Sequence, residues 1–295
     1  MRHPRPSDVL LLCLLAAMWG ASFPAVKIAV AHLPTAAMVA LRLLVGTTMM
    51  VALAFALGRR PSLDSRTWAV YAGMALVGNL VPFLLIAHGQ RQIDAGLGAI
   101  LMATMPLATI VLAHLFTRDE KLSLRGVAGV LVGLSGVLAL VGVDALRGLG
   151  ADVLAQLSMA AAAMCYALHT ILARRLQGSS PFTNAACVLA LAAAMAVALM
   201  LAAEGPPPPV PFDAALAILF LGIFSNGIAY LIYFRLTGTV GAGFTAMTNY
   251  LVPVMGVLWS GLILGERPSV RAVAALALIL AGVAVAHLRL GGRKA

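Results

Sequence analysis

Residues 242–284 read AGFTAMTNYLVPVMGVLWSGLILGERPSVRAVAALALILAGVA, a stretch that repeats a pattern already present at residues 95–139. The shared positions are Ala95, Gly96, Ala99, Pro106, Glu120, Ser123 and Gly136 in the first copy, and Ala242, Gly243, Ala246, Pro253, Glu266, Ser269 and Gly282 in the second. The offset is 147 residues at the first alanine (95 to 242) and 146 at the glutamate (120 to 266), close to half of the 295-residue chain. Duplication at half the chain length is typical of transporters. We therefore expect two related units, residues 1–147 and 148–295.

The composition indicates a membrane protein. Hydrophobic residues make up 62% of the chain, charged residues only 10%, and the mean hydropathy is +1.01. That leaves too little polar surface to cover a globule in water. The net charge of +10 comes from basic residues scattered between apolar runs, which argues against the single basic patch of a nucleic-acid-binding protein. Three cysteines, all inside apolar runs, make a disulfide framework unlikely to form. The predicted surroundings are membrane lipid.

The apolar residues fall into ten segments near the roughly 20 residues that cross a hydrocarbon core as a helix. The predicted fold class is therefore an all-α integral membrane protein with ten transmembrane helices, and we number the segments one to ten in chain order. Their expected ranges are about 8–31, 35–57, 67–89, 94–117, 124–142, 151–173, 182–203, 212–234, 240–264 and 269–288.

The basic residues predict the orientation, because cytoplasmic loops are enriched in Lys and Arg. With the N-terminus inside, the cytoplasmic side collects Arg2, Arg5, Arg59, Arg60, Arg66, Arg118, Lys121, Arg125, Arg174, Arg175, Arg235, Arg289, Arg293 and Lys294. The outer side collects only Lys27, Arg91, Arg147, Arg267 and Arg271. We expect a bacterial inner-membrane protein with both termini cytoplasmic. Since each unit has five segments, an odd number, the second unit should be inverted relative to the first.

Several of these residues carry a resemblance to a known family. They are Trp19-Gly20, Phe23 and Lys27 in segment one, Arg42-Leu43 in segment two, and Leu264-Gly265-Glu266-Arg267-Pro268-Ser269 followed by Gly282-Val283. The pattern resembles the drug/metabolite transporter superfamily, EamA type, over nearly the whole chain, and looks most like the bacterial aromatic amino-acid exporters. The resemblance implies ten helices in two inverted five-helix repeats and export of amino acids or related metabolites. The second unit departs from the pattern where Cys165-Tyr166 stands in place of Trp19-Gly20.

Two asparagines are the leading candidates for substrate binding. Asn79 and Asn226 lie near the middle of segments three and eight, again 147 residues apart. A polar side chain at that depth costs free energy unless it has a partner or faces water. It can line a pathway, or it can link neighbouring helices. Phe83 follows Asn79 by four residues and Tyr230 follows Asn226 by four, so each asparagine shares a helix face with an aromatic ring that could contact an apolar solute.

Other candidates occupy related positions at mid-depth in segments one and six: Trp19 and Ser22 in the first, and Tyr166 and His169 in the second. We expect them to line the same cavity, although His169 could simply bond a neighbour. In segments four and nine, Pro106 and Pro253 each remove a backbone donor, and a bend there could act as a gating hinge. Met102 and Asn249 would then face the cavity beside the two bends.

Lys27 and Arg42 are the only strongly basic residues drawn into the segments, and both are expected in the outer part of the first unit, as charge near an outer gate. Lys27 can reach the interface along its side chain, whereas Arg42 lies deeper. Either residue could bond helix carbonyls structurally, or could attract a carboxylate. We also expect Glu266 and Glu120 to stabilise the starts of segments ten and five, where a negative charge suits the helix dipole.

The sequence places every acidic residue at a segment end or in a loop, so proton exchange through a buried carboxylate is not favoured. No phosphate-binding loop, zinc-ligand spacing or nucleophile motif is present in the sequence, which argues against an enzyme, a metal site and a bound cofactor. The prediction is a facilitated exporter of amino acids, aromatic or otherwise apolar, working by alternating access on a small-molecule substrate. Efflux of cationic drugs, a lipid-linked sugar flippase and a membrane-bound enzyme subunit remain alternatives.

Overall fold

The computed structural model describes residues 2–58, 64–116, 123–145, 151–176 and 180–287, and the regular structure of these residues is entirely helical. The α-helices are α1 (Pro6–Gly20), α2 (Ser22–His32), α3 (Thr35–Ala56), α4 (Ser65–Ala75), α5 (Val81–Gln92), α6 (Ala95–Met102), α7 (Met105–Phe116), α8 (Leu124–Ala145), α9 (Ala151–Ala173), α10 (Pro181–Ala203), α11 (Phe212–Leu219), α12 (Ala229–Thr239), α13 (Ala242–Thr245), α14 (Thr248–Leu264) and α15 (Val270–His287). Segments one, three, four, eight and nine each contain two of these helices, and the other segments are single helices.

Eight of the described helical stretches are long and apolar enough to cross a membrane. They have at least 18 residues and mean hydropathies of 1.3 to 2.6, and they correspond to segments one to four and six to nine. Two further apolar stretches, Leu124–Leu140 and Val270–Ala286, are shorter. Many large apolar side chains point outward, among them Phe212 and Val270, which are 84% and 87% exposed. So much exposed apolar surface is unfavourable in water but suits a lipid environment. The chain is a multi-pass membrane protein.

Segments three and eight are continuous helices that contain a π-helical stretch. Leu76–Leu80 joins α4 to α5, and Phe220–Ile228 joins α11 to α12. A π-helical turn holds about one more residue than an α-helical turn and is frequent at functional sites. Pro82 is the second residue after the first stretch and has no N–H group to donate to the Gly78 carbonyl. The corresponding position 147 residues later is Ala229. The proline is therefore not required for this irregularity, which both units share.

Segments four and nine are interrupted, at Ala103–Thr104 and at Ala246–Met247. Threonine hydroxyls accompany both breaks: Thr104 Oγ1 donates to the Leu101 carbonyl at 2.7 Å, and Thr248 Oγ1 donates to the Thr245 carbonyl at 2.7 Å. Such bonds to carbonyls three residues earlier compete with the helix ladder. The breaks therefore have a local cause in addition to any effect of proline.

Helices from the two units pack closely against each other. Helix α3 packs on α10, α5 on α9, α14 on α1 and α6, and α8 on α15. At the α8–α15 crossing the two backbones approach closely, because a Cβ atom on Gly282 would lie 2.5 Å from both the Gly129 carbonyl oxygen and the Gly133 nitrogen. Small residues permit such close backbone contact in membranes. Segments five and ten thus form a pair through glycine contacts, beside the eight longer segments.

Candidate functional site

Both predicted asparagines lie in the π-helical stretches and are buried, with 2% of Asn79 and 3% of Asn226 exposed. Asn226 Oδ1 accepts a hydrogen bond of 3.1 Å from Arg42 Nη2. Asn79 Oδ1 and Asn226 Nδ2 are buried and have no hydrogen-bond partner among the described residues. An unpaired buried amide costs about 1–3 kcal/mol, so these two atoms are poised for a polar partner.

Arg42 lies beside Asn226, at the contact between α3 and segment eight, and its role as charge near an outer gate stays a prediction. Its side chain is 4% exposed, and its guanidinium carbon stands 3.8 Å from the centre of the Phe83 ring. Glycine allows this approach, because a Cβ atom on Gly222 would lie 3.1 Å from the Arg42 carbonyl oxygen and would overlap Val45. Segment eight therefore comes close enough for Asn226 to meet the guanidinium.

Segment one reaches the same cluster at its own break. Ala21 separates α1 from α2, and Pro24, three residues on, cannot donate to the Gly20 carbonyl. Beside this break, the hydroxyls of Ser22 and Ser225 are 2.6 Å apart, and Trp19 Nε1 donates to the Ser225 carbonyl at 3.2 Å. Ser225 was not predicted as a site residue. Its position next to Asn226 in the sequence was the available signal.

Aromatic rings surround the polar cluster. The Trp19 ring meets Tyr230 edge to face with centroids 6.4 Å apart, and it lies 5.9 Å from Tyr233. The hydroxyls of Tyr166 and Tyr230 are near enough to Arg42 to interact with its charge. Predicted residues of segments one, two, three, six and eight therefore come together around one arginine. Such a mixture of rings and a few polar groups is typical of small-molecule sites.

His169 packs on the π-helical stretch of segment three. A Cβ atom at Gly78 would overlap the imidazole ring, so only glycine leaves room for it. His169 makes a hydrogen bond with the backbone of Met74, while its Nδ1 is buried without a partner among the described residues. The imidazole therefore packs against Gly78, the residue that precedes Asn79 in the sequence.

Met102, Asn249 and the two prolines lie at the helix breaks. Met102 is the last residue of α6, and Pro106 is the second residue of α7, immediately after the break in segment four. Pro253, in contrast, lies inside α14 and follows the break in segment nine by several residues. The interruption of segment nine lies at Ala246–Met247, between Thr245 and Thr248, and the hinge roles of the two prolines stay predictions. Within the described residues, neither Met102 nor Asn249 hydrogen-bonds to the cluster around Arg42.

One end of the helix bundle is tied together by contacts between the units, and we call it the carboxylate-capped end. Glu204 accepts from the backbone N–H groups of Ala36 and Ala37 at 3.0 and 2.8 Å, and Glu266 accepts from those of Ala95 and Gly96 at 2.9 Å each. Both carboxylates therefore cap helices of the other unit, α3 and α6. The expectation that Glu266 stabilises the start of segment ten was wrong, since Gly265 (φ 70°) ends α14 and turns Glu266 toward α6. Glu120 lies outside the described residues.

Basic side chains add to the same end. Lys27 Nζ donates to the Ile93 carbonyl at 2.9 Å, and Arg91 donates to the Leu33 carbonyl at 2.5 Å. His32 and Asp213 lie 2.8 Å apart across the units, both partly exposed. Lys27 thus lies at the carboxylate-capped end, and its role near an outer gate stays a prediction.

A cavity of about 230 Å³ lies beside Glu266, between segments four, five, six, nine and ten. Two buried polar side chains line it, Gln156 and Ser260, whose Oε1 and Oγ atoms have no hydrogen-bond partner among the described residues. Sequence reasoning did not identify this cavity, because its walls come from five separate segments.

Comparisons with known proteins agree on one family. The model of the EamA-like transporter family matches twice, at residues 7–142 and 153–288. The chain is 25% identical to a probable terminal-alkyne amino-acid exporter of Streptantibioticus cattleyicolor, over 96% of this chain and 94% of the relative. It is also 25% identical to a probable amino-acid metabolite efflux pump of Escherichia coli, over 98% and 97%, and 23% identical to the uncharacterized transporter YoaV of Bacillus subtilis, over 90% and 91%.

A solved crystal structure shares the fold, with a TM-score of 0.67 at 23% identity, covering 96% of this chain and 97% of that one. The resemblance seen in the sequence motifs is confirmed by the family match, which accounts for both copies of the repeated pattern. The chain belongs to the EamA-like transporter family.

Proposed function

We propose that this transporter exports amino acids with apolar side chains, and related small amphipathic metabolites, across the inner membrane of a bacterium. The observation that carries the proposal is the cluster around Arg42 and Asn226, where five segments from both units meet in a buried polar site enclosed by aromatic rings. Relatives named as a terminal-alkyne amino-acid exporter and an amino-acid metabolite efflux pump support this class of substrate.

The proposed topology has ten membrane crossings in two inverted five-helix units, residues 1–147 and 148–295, with both termini in the cytoplasm. The excess of basic residues on one side of the predicted segments supports this orientation, as does the odd number of segments in each repeat. The close pairing of α8 with α15 supports counting segments five and ten as crossings in addition to the eight longer ones.

The proposed mechanism is alternating access, which the contacts between the units support. In the proposed orientation, the carboxylate-capped end faces the outside, and there Glu204 and Glu266 hold α3 and α6 of the first unit. Release of a solute outward requires these caps to separate, and the opposite end would close in exchange. Backbone N–H groups at a helix start can be satisfied by water once exposed, so the caps can break without a prohibitive loss of free energy.

The proposed transport is facilitated diffusion. The acidic residues whose side chains the structure describes lie at helix ends, as Asp64, Asp152, Glu204 and Glu266 illustrate. The site itself holds a buried cation, Arg42, which repels a positively charged solute in surroundings of low dielectric. Efflux of cationic drugs is therefore the less favoured alternative.

The test is transport by the purified full-length protein in liposomes, using radiolabelled phenylalanine and leucine. We expect saturable uptake driven by the solute gradient alone, and cells that overproduce the protein should lose these amino acids faster. Asn226→Ala and Asn79→Ala should each raise KM about tenfold, because each removes a hydrogen-bonding group of the buried site. Asn184→Ala is the matched control, since this asparagine accepts from Tyr71 at 2.8 Å, away from the cluster. Uptake that required a pH gradient, or that neither cluster variant affected, would contradict the proposal.

A further inference from the structure

We infer that Arg42 binds the carboxylate of the transported solute, and that the transporter therefore requires the carboxylate group of its substrate but not the ammonium group. This inference rests on the proposed function, because it names the chemistry recognised at the same site. It extends the substrate class from amino acids to monocarboxylates with an apolar body.

Arg42 carries a buried positive charge that lacks a partner of opposite sign among the described residues. A guanidinium stays protonated in proteins, and this one is 4% exposed. No Asp or Glu among the residues that the structure describes lies within ion-pair distance of it. A buried charge normally has a partner of opposite sign, because desolvation costs several kcal/mol per ion. Asn226 Oδ1 and the Phe83 ring offer only partial compensation.

Two hydrogen-bond donors at Arg42 and Asn226 also have no acceptor within the described part of the chain. Arg42 Nε is buried without a partner, and so is the neighbouring Asn226 Nδ2. Both atoms are donors. A carboxylate is acceptor-only and can take two parallel N–H bonds from a guanidinium, so it supplies the missing charge and the missing acceptors together. A neutral acceptor, such as an amide carbonyl, would supply only the latter.

The groups near Arg42 also favour particular chemistry in the rest of the solute. The Phe83 ring lies over the guanidinium, Tyr166 and Tyr230 are near enough to interact with its charge, and Trp19 packs on Tyr230. This aromatic lining suits an apolar body. An ammonium would meet neutral acceptors only, such as the unpaired Asn79 Oδ1 and the serine hydroxyls. The site therefore compensates negative charge on a solute but offers no carboxylate to compensate positive charge. The geometry favours acids over amines of the same shape.

The position of Arg42 is also rigidly set. A Cβ atom on Gly46 would lie 2.9 Å from the Asn226 Cβ, and one on Gly222 would lie 3.1 Å from the Arg42 carbonyl oxygen. These contacts hold α3 and segment eight close together where Arg42 meets Asn226. A positioned donor pair loses little conformational freedom when the ligand binds.

The test compares three solutes of similar size on the full-length wild-type protein in liposomes. Unlabelled phenylalanine, 3-phenyllactate and phenylalaninamide compete with uptake of labelled phenylalanine, and protein-free vesicles correct for leakage. Phenyllactate keeps the carboxylate without the ammonium, and the amide keeps the ammonium without the carboxylate. We expect phenyllactate to inhibit within about threefold of phenylalanine, and the amide to be at least about thirtyfold weaker, because only a carboxylate neutralises Arg42.

Two site variants test the residue itself. Arg42→Gln should raise KM for phenylalanine at least about thirtyfold and abolish the discrimination against the amide, with Arg42→Lys intermediate since it loses the fork of donors. Asn226→Asp places a carboxylate against Arg42 Nη2 in an isosteric side chain, so it should compete with the solute and raise KM at least about tenfold while the protein stays folded. Arg66→Gln, an exposed basic position in α4, is the control.

The outcomes separate this inference from the function on which it rests. If wild-type vesicles take up no amino acid, the proposed function fails. If they take up phenylalanine but phenylalaninamide competes equally well, or phenyllactate does not compete, the inference alone is overturned. If Arg42→Gln does not fold, the competition experiment on the wild-type protein and the Asn226→Asp variant still test the inference. An unchanged KM for phenylalanine in folded Asn226→Asp would contradict binding of the solute carboxylate at Arg42.

Discussion

Single glycines decide where the buried polar side chains of this protein can lie. Gly78 leaves the space that the His169 imidazole fills, Gly222 admits Arg42 and Val45, and Gly46 faces Asn226. None of these glycines has a positive φ, so the absence of a Cβ atom, rather than backbone freedom, explains the residue type. The polar site thus depends on missing side chains as much as on the polar groups themselves.

We expect Gly78→Ala to destabilise the protein. The new methyl group would overlap His169, so the imidazole or segment six must shift, at a cost of about 1–3 kcal/mol typical of overpacking. Gly238→Ala is the matched control, because nothing lies within 4 Å of its Cβ position and alanine favours a helix by up to about 1 kcal/mol. The measurement is the thermal unfolding midpoint in detergent. We expect it to fall for Gly78→Ala and to stay level or rise for Gly238→Ala; equal midpoints would contradict the contact.

At the scale of helices, the interruptions share a simple logic. The π-helical stretches hold the two asparagines, the break at Ala21 brings Ser22 to Ser225, and the breaks near Met102 and Met247 follow threonine hydroxyl bonds. Regular helices would keep these backbone groups paired within the helix. The irregular turns instead make carbonyls such as that of Ser225 available to another segment.

We expect Glu266→Gln, at the carboxylate-capped end, to destabilise the start of α6. Glu266→Gln keeps one acceptor oxygen but turns an NH₂ group toward the N–H of Ala95 or Gly96, so the start of α6 should lose about 1–2 kcal/mol. Asp94→Asn is the matched control: Asp94 is the N-cap residue of the same helix, yet its side chain makes no capping hydrogen bond. Chemical denaturation in detergent should show destabilisation for Glu266→Gln alone. Equal losses would mean that charge near the helix start, not direct capping, is what matters.

In the whole molecule, the largest helix contacts join the two units. Helices α3, α5 and α8 pack on α10, α9 and α15 of the other unit, and residues as distant in sequence as Ser22 and Ser225 lie in hydrogen-bond contact. Each unit by itself would leave these faces and the buried Arg42 uncovered. The two units are therefore expected to fold together and to move as bodies against one another.

A cross-link between the units tests that movement. The Oγ atoms of Ser22 and Ser225 are 2.6 Å apart, close to the S–S length of about 2.05 Å, so Ser22→Cys with Ser225→Cys should oxidise to a disulfide. The background should have Cys13, Cys165 and Cys187 replaced, since all three are free. We expect oxidation to stop transport and reduction to restore it, while each single variant is insensitive. Undiminished transport by a fully oxidised double variant would rule out relative motion at this contact.

The sequence alone was enough to predict the helical membrane fold, the duplicated pattern and the family. These properties follow from hydropathy and residue spacing, which are local along the chain. The positions of Asn79 and Asn226 were also predictable, because the repeat offset relates them without any knowledge of packing.

The tertiary structure decided which distant groups meet. Arg42 meets Asn226, Glu266 caps α6 and not segment ten, and the interruption of segment nine precedes Pro253. Each of these outcomes depends on how closely two helices approach, which is determined by side-chain volume at their crossing. Residues that cross one another in space can be separated by more than half of the chain, so their spacing in the sequence carries no record of the contact.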